Sequence, residues 1–143
     1  MIRVQQFLRR VWRHLEGDAA YKNSDMPSFL LLQMEGGPAP DDFVSNGSSF
    51  SPDRIFGNDL RPAAHMHDLH YATWVVDEAT RKKADYIFYR NLRRCGLGWF
   101  LARKYFFRLR VWGACVCDYR GDESARPTGF AWLKLFITRY MEW

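Results

Sequence analysis

The stretch from Arg61 to Gly96, RPAAHMHDLHYATWVVDEATRKKADYIFYRNLRRCG, constrains the fold more than any other. Pro62 suits the first turn of a helix, where its missing N–H is no loss, and the apolar run that it opens carries through Val76. Asp77 is a good N-cap for a second helix that continues through Arg94 and stops near Gly96. Each helix holds a polar group on its apolar side. His67 shares a face with Ala63, Met66, Tyr71 and Trp74, so its imidazole points toward the core. Asp85 lies with Phe88, Tyr89 and Leu92, whereas Arg81, Lys82, Arg90 and Arg93 have flexible stems that reach solvent. A carboxylate on an apolar face is costly unless something hydrogen-bonds it. Facing helices joined by a tight turn bring Asp85 against His67, as a base with its orienting partner or as a buried structural pair.

Metal binding is the third meaning of this crowding, since HMHDLH offers His65, His67, His70 and Asp68. On a helix His67 and His70 share a face, but His65 lies about 200° round from His67, which makes three-histidine zinc awkward.

Outside the pair, Ile2, Val4, Phe7, Leu8, Val11, Trp12 and Leu15 recur at three- and four-residue steps among arginines, which predicts an amphipathic basic helix over 2–15. Its role is an interfacial anchor or a helix docked on the core. Residues 17–59 are dense in turn chemistry (EGGPAPDD, SNGSSFSPD) and predict irregular chain with two short strands. Beyond Gly98, WFLARKYFFRLRVWGACVCDY and RPTGFAWLKLFITRYMEW both read as helices, the latter with Phe130, Leu133, Phe136, Ile137 and Tyr140 on one face.

The 143 residues allow one domain, and an aromatic content of 17% with a formal charge of +5 suits an anionic surface, either lipid headgroups or nucleic acid. RNLRRCGLGWFLARKYFFRLR interleaves arginine with aromatics as single-strand binders do, yet reads equally well as a core-facing helix with snorkelling arginines, so nucleic acid ranks last among the expected partners. Three cysteines are too few for the disulfide frame of a small secreted domain. The arginine-broken N-terminus is no Sec signal, and no segment is long and apolar enough to span a bilayer. The expectation is synthesis in the cytoplasm and a peripheral membrane or phage and virus particle location.

HDLHY followed by ADYIF resembles the His-Asp-x-x-Tyr and Ala-Asp-x-x-Phe signature of phospholipase A2-like domains, especially the disulfide-free type of parvovirus capsid proteins. Over about residues 43–113 the chain also resembles a small family of phage and bacterial proteins with the same motif order: a Gly-Ser turn and proline, Ala-Ala-x-x-His-Asp-x-x-Tyr, Ala-Asp-x-x-Phe, then a basic-aromatic helix like ARKYFFRLRVWG. The resemblance implies a mainly α single domain, 1–143, with a loop-rich N-terminal half, a candidate metal loop at 43–59, a phospholipase A2-like catalytic helix pair at 62–95, and amphipathic helices at both ends, those at 98–143 aromatic and basic. It implies calcium-assisted hydrolysis of phospholipid esters at a membrane surface, with His67 as general base, Asp85 as its partner and Tyr71 as a supporting hydroxyl. Asp68 would be a Ca²⁺ ligand, with the carbonyls of Gly47, Ser49 and Ser51 as further donors and Asn46 or Asp53 as side-chain help. A catalytically silent phage structural or accessory protein, using the same fold to bind particle proteins or membrane, is the alternative.

Overall fold

The computed structural model describes residues 21–22, 31–40, 42–45, 54–117 and 119–138. Among them the chain is mainly helical: α1 (Arg61–Thr73), α2 (Glu78–Arg94), α3 (Trp99–Val116) and α4 (Gly129–Thr138). They are preceded by strands β1 (Tyr21–Lys22), β2 (Val44–Ser45), β3 (Arg54–Ile55) and β4 (Asn58–Asp59). The strands pair antiparallel as β1 with β2 and β3 with β4, so the described residues of the N-terminal half carry four short strands where two were expected. The helix expected over 2–15 lies outside the described residues.

α1 begins as its proline requires. Pro62 occupies the first turn, and the Asp59 carboxylate accepts the Arg61 N–H at 3.1 Å, satisfying one donor that the helix cannot. The helix stops at Thr73, short of the expected Val76. Its successor explains the difference. α2 starts with a capping box in which Asp77 accepts the Thr80 N–H at 2.9 Å while Thr80 Oγ1 accepts the Asp77 N–H at 3.0 Å and the Val76 N–H at 2.9 Å. Asp77 must be extended to do this, so the chain leaves the helix early, with the Trp74 and Val75 N–H groups returning to the His70 carbonyl.

α2 ends on a Schellman turn: Gly96 at φ 98° lets its own N–H reach the Arg93 carbonyl and the Leu97 N–H reach that of Leu92, with both leucines buried. A side chain at Gly96 would also meet Asn58 Oδ1 at 2.7 Å, because the β3–β4 hairpin lies against this turn.

α1, α2 and α3 pack around one core that includes Ala63, Met66, Phe88, Leu92, Ala102 and Leu109. A smaller cluster of Val75, Ala84, Cys117 and Tyr119 lies at the other end of the helix pair. The segment 33–37 is stitched to α2 by reciprocal Glu35–Asn91 hydrogen bonds (2.7 and 3.0 Å), by an Arg90–Glu35 ion pair and by Arg94 on the Gln33 carbonyl. On α4, Phe130 and Leu133 are exposed, while the side chains of Phe136, Ile137 and Tyr140 lie outside the described residues. No helix among the described residues is long and apolar enough to cross a membrane.

Candidate active site

α1 and α2 bring His67 and Asp85 together: Nε2 of the imidazole lies 2.9 Å from Asp85 Oδ1, with the carboxylate fully buried. The Tyr71 hydroxyl, one turn along α1 from His67, donates to the same oxygen at 2.6 Å. The His67 ring is held between Tyr71 and Phe88, at centroid distances of 4.1 and 4.7 Å.

The other carboxylate oxygen of Asp85 accepts from Arg110 Nη1 at 3.0 Å and Arg81 Nη1 at 3.3 Å. Arg81 is fully buried, which corrects the expectation that its stem reaches solvent. It stays charged there because every N–H finds an acceptor. Nε and Nη2 bind the Glu78 carboxylate at 2.5 and 2.8 Å, and Nη1 and Nη2 also donate to the carbonyls of Leu109 and Arg110 at 2.7 and 2.9 Å. Arg110 and the Tyr119 hydroxyl complete the shell of Glu78. The carboxylates of Glu78 and Asp85 thus balance the guanidinium groups of Arg81 and Arg110, a closed ionic cluster behind the imidazole.

Burial alone would raise the Asp85 pKa, but the Arg81 charge, the hydrogen bond and charge of His67, and the Arg110 charge outweigh it and hold the carboxyl at about 2. Burial and the neighbouring Asp85 charge push the Tyr71 phenol well above its ordinary value, so it remains a donor. An ionised carboxylate only accepts, so the His67 Nε2 carries the hydrogen, and in the neutral form of the ring Nδ1 is the nitrogen with the lone pair.

Asp68, one residue on, turns away from this cluster. Its carboxylate accepts from the buried hydroxyl of Ser45 on β2 at 2.6 Å. Carboxylate and hydroxyl oxygens are of the donor type that Ca²⁺ takes, but these two are bonded to each other and fall well short of the roughly six to eight oxygens that the ion coordinates. Gly47, Ser49, Ser51, Asn46 and Asp53 lie outside the described residues. Among the described residues no group of three His, Cys, Asp or Glu side chains converges on a point that would hold a metal.

His65 and His70 have packing roles. His65 is fully buried with its ring edge-on to Phe43 at 5.1 Å. His70 Nε2 lies 3.1 Å from the Gly36 carbonyl, and Gly36, at φ 91°, approaches so closely that a Cβ there would stand 2.3 Å from the imidazole.

Sequence reasoning missed Glu78, Arg81, Arg110 and Gly113. Spacing contained part of the signal, since 78, 81 and 85 are helix steps of three and four that place both acids and the arginine in one row. Arg110 and Gly113 join from α3, whose register against α2 no local pattern sets. Gly113 leaves room for the cluster: a Cβ would lie 2.9 Å from Arg81 Nη1 and 3.0 Å from the Tyr71 hydroxyl. Scans against family models, functionally described proteins and solved structures found no match.

Proposed function

We propose that this protein is a phospholipase A2-like hydrolase of phospholipid esters, calcium-assisted and working at a membrane surface. The observation that carries the reading is the buried His67–Asp85 contact at 2.9 Å, with Tyr71 on the same carboxylate oxygen. In this role His67 Nδ1 takes a proton from water as the water oxygen attacks the ester carbonyl. Asp85, ionised throughout, fixes the ring and offsets the charge of the imidazolium. The proton passes from His67 to the departing glycerol oxygen, giving a fatty acid and a lysophospholipid. Tyr71, Arg81 and Arg110 do not move protons; they hold the Asp85 carboxylate in place. Asp68, with Gly47, Ser49 and Ser51 as further proposed donors, would hold the calcium ion, which would supply electrostatic stabilisation of the developing oxyanion and a seat for the phosphate.

The test compares His67→Ala with Asp68→Asn in purified full-length chain. Each is expected to lose most hydrolysis, about 10²- to 10⁴-fold for loss of a base. Only Asp68→Asn should lose the response to calcium, and calcium binding should persist in His67→Ala. Equal activity of wild type and His67→Ala would end the reading.

A second reading, a catalytically silent structural or accessory protein of a phage particle, draws on the internal satisfaction of both carboxylates. Ser45 occupies an oxygen of Asp68, and the arginine pair engages Asp85. It predicts no turnover with any phospholipid, and a fold that depends on the same residues.

A further inference from the structure

Large apolar side chains from three separate segments stand in solvent around the C-terminal end of α2. Leu32 is 82% exposed, Phe56 89%, Trp99 54% and Phe100 72%. Short polar ties gather them there. Arg94, the last residue of α2, donates to the carbonyl of Gln33, next to Leu32. Asn58, two residues from Phe56, lies against Gly96, and Trp99 and Phe100 open α3 just beyond that turn.

Phe56 is the most informative of them. With Gly57 it forms the two-residue tip of the β3–β4 hairpin, and both residues have positive φ, 49° and 81°. Asn, Asp or Gly are the residues that such a turn favours; a phenylalanine is strained there. Packing does not compensate, because the ring is exposed. Neither the turn nor the core explains a phenylalanine at this position.

The surrounding charge is positive. Arg103 and Lys104 follow Trp99 and Phe100 by one turn of α3, the Arg103 guanidinium lies 4.8 Å from the Trp99 ring centroid, and Arg93 and Arg94 close α2 beside the turn, each also donating to a carbonyl there, Leu97 and Gln33. Among the described residues of the adjoining segments, Glu35 is engaged by Arg90 and Asp59 by Arg61. Exposed apolar side chains with cations beside them match a surface with anionic headgroups above an apolar layer.

We infer that Phe56, Trp99 and Phe100 enter the headgroup layer of an anionic phospholipid membrane while Arg93, Arg103 and Lys104 engage its phosphates. This surface deepens the hydrolase reading, and its choice of phospholipid rests on that reading, although other residues carry it.

The test is co-sedimentation of full-length protein with vesicles of phosphatidylglycerol and phosphatidylcholine in equal parts, against phosphatidylcholine alone. Binding is expected to the mixed vesicles, weakening with salt by about fivefold in affinity for each cation removed, as in Arg103→Gln or Lys104→Gln. Phe56→Asn is the decisive variant, because asparagine suits the turn: the fold should be as stable or more so, yet affinity should fall about tenfold. Trp99→Ser and Phe100→Ser should each act similarly. Unchanged binding in Phe56→Asn and Trp99→Ser, or wild-type binding to neither vesicle, would overturn the proposal. Binding to a single-stranded oligonucleotide that the same variants abolish, with no vesicle binding, would assign the patch to nucleic acid instead. Turnover of a dispersed short-chain phosphatidylcholine separates this from catalysis. Phe100→Ser should leave that turnover intact, and vesicle binding by a wild type without turnover would sink the hydrolase while supporting the surface.

Discussion

Replacing Arg81 with methionine should destabilise the protein by about 3 kcal/mol, because the side chain is the keystone of a buried cluster rather than a surface cation. The substitution keeps much of the aliphatic stem and removes the guanidinium that joins Glu78, Asp85 and the carbonyls of Leu109 and Arg110. The two carboxylates then fare differently. The Glu78 side chain is 27% exposed and recovers water, whereas Asp85 is at 0% and must rely on Arg110, His67 and Tyr71. Breaking a buried pair costs about 3–5 kcal/mol, and the rehydration of Glu78 argues for the lower end. In urea unfolding, with a slope of about 1.5 kcal/mol per molar, the midpoint should fall by about 2 M. Lys83→Met, two positions along the helix on the exposed side, serves as control and should stay within about 0.5 kcal/mol. Adding Glu78→Gln to Arg81→Met should restore part of the loss, since it leaves the charge of Arg110 wholly to the buried Asp85. A loss below about 1 kcal/mol in Arg81→Met, or strict additivity with Glu78→Gln, would refute the buried cluster.

Gly113→Ala gains helix propensity of about 1 kcal/mol but drives a methyl into Arg81 and Tyr71, which are pinned by their own hydrogen bonds, so a net loss of about 1 kcal/mol or more is expected in the same unfolding assay. Gly36→Ala, at positive φ and 2.3 Å from the His70 ring, should cost about 2 kcal/mol and raise amide exchange in residues 33–37. The depressed Asp85 pKa, about 2 against 3.8 in its absence, means that the unfolded carboxyl takes up protons first as pH falls. Its contribution, about 2 kcal/mol, is therefore full above about pH 5 and is lost on acidification toward pH 2. Unfolding midpoints measured down this range should decline more steeply in wild type than in Asp85→Asn; parallel curves would contradict the assignment.

The helix pair was legible because its boundaries are local chemistry: Pro62, the Asp77 cap and Gly96 each act within a turn of the residue itself. The His67–Asp85 contact followed from the same source, as two polar groups on apolar faces of adjacent helices need each other. The reach of Arg81 was misjudged because a long cationic stem on a helix is ordinarily solvated; its burial depends on α3 delivering two carbonyls and Arg110, which is a tertiary fact. The end of α1 was misplaced for a smaller reason. Val75 and Val76 continue the apolar run, but Val75 is buried from beyond the last turn of the helix, and hydropathy does not distinguish the two backbones. The short strands of the N-terminal half escaped the count because pairs of two residues carry no alternation to read.

The most direct test of the His67–Asp85 site as a hydrolytic centre is fatty-acid release from mixed phospholipid vesicles by the purified full-length chain, with calcium and with a chelator, beside His67→Ala. The account predicts release by the wild type that calcium stimulates and that falls about 10²-fold or more in His67→Ala. No release from any common phospholipid, or release that His67→Ala retains, would contradict it.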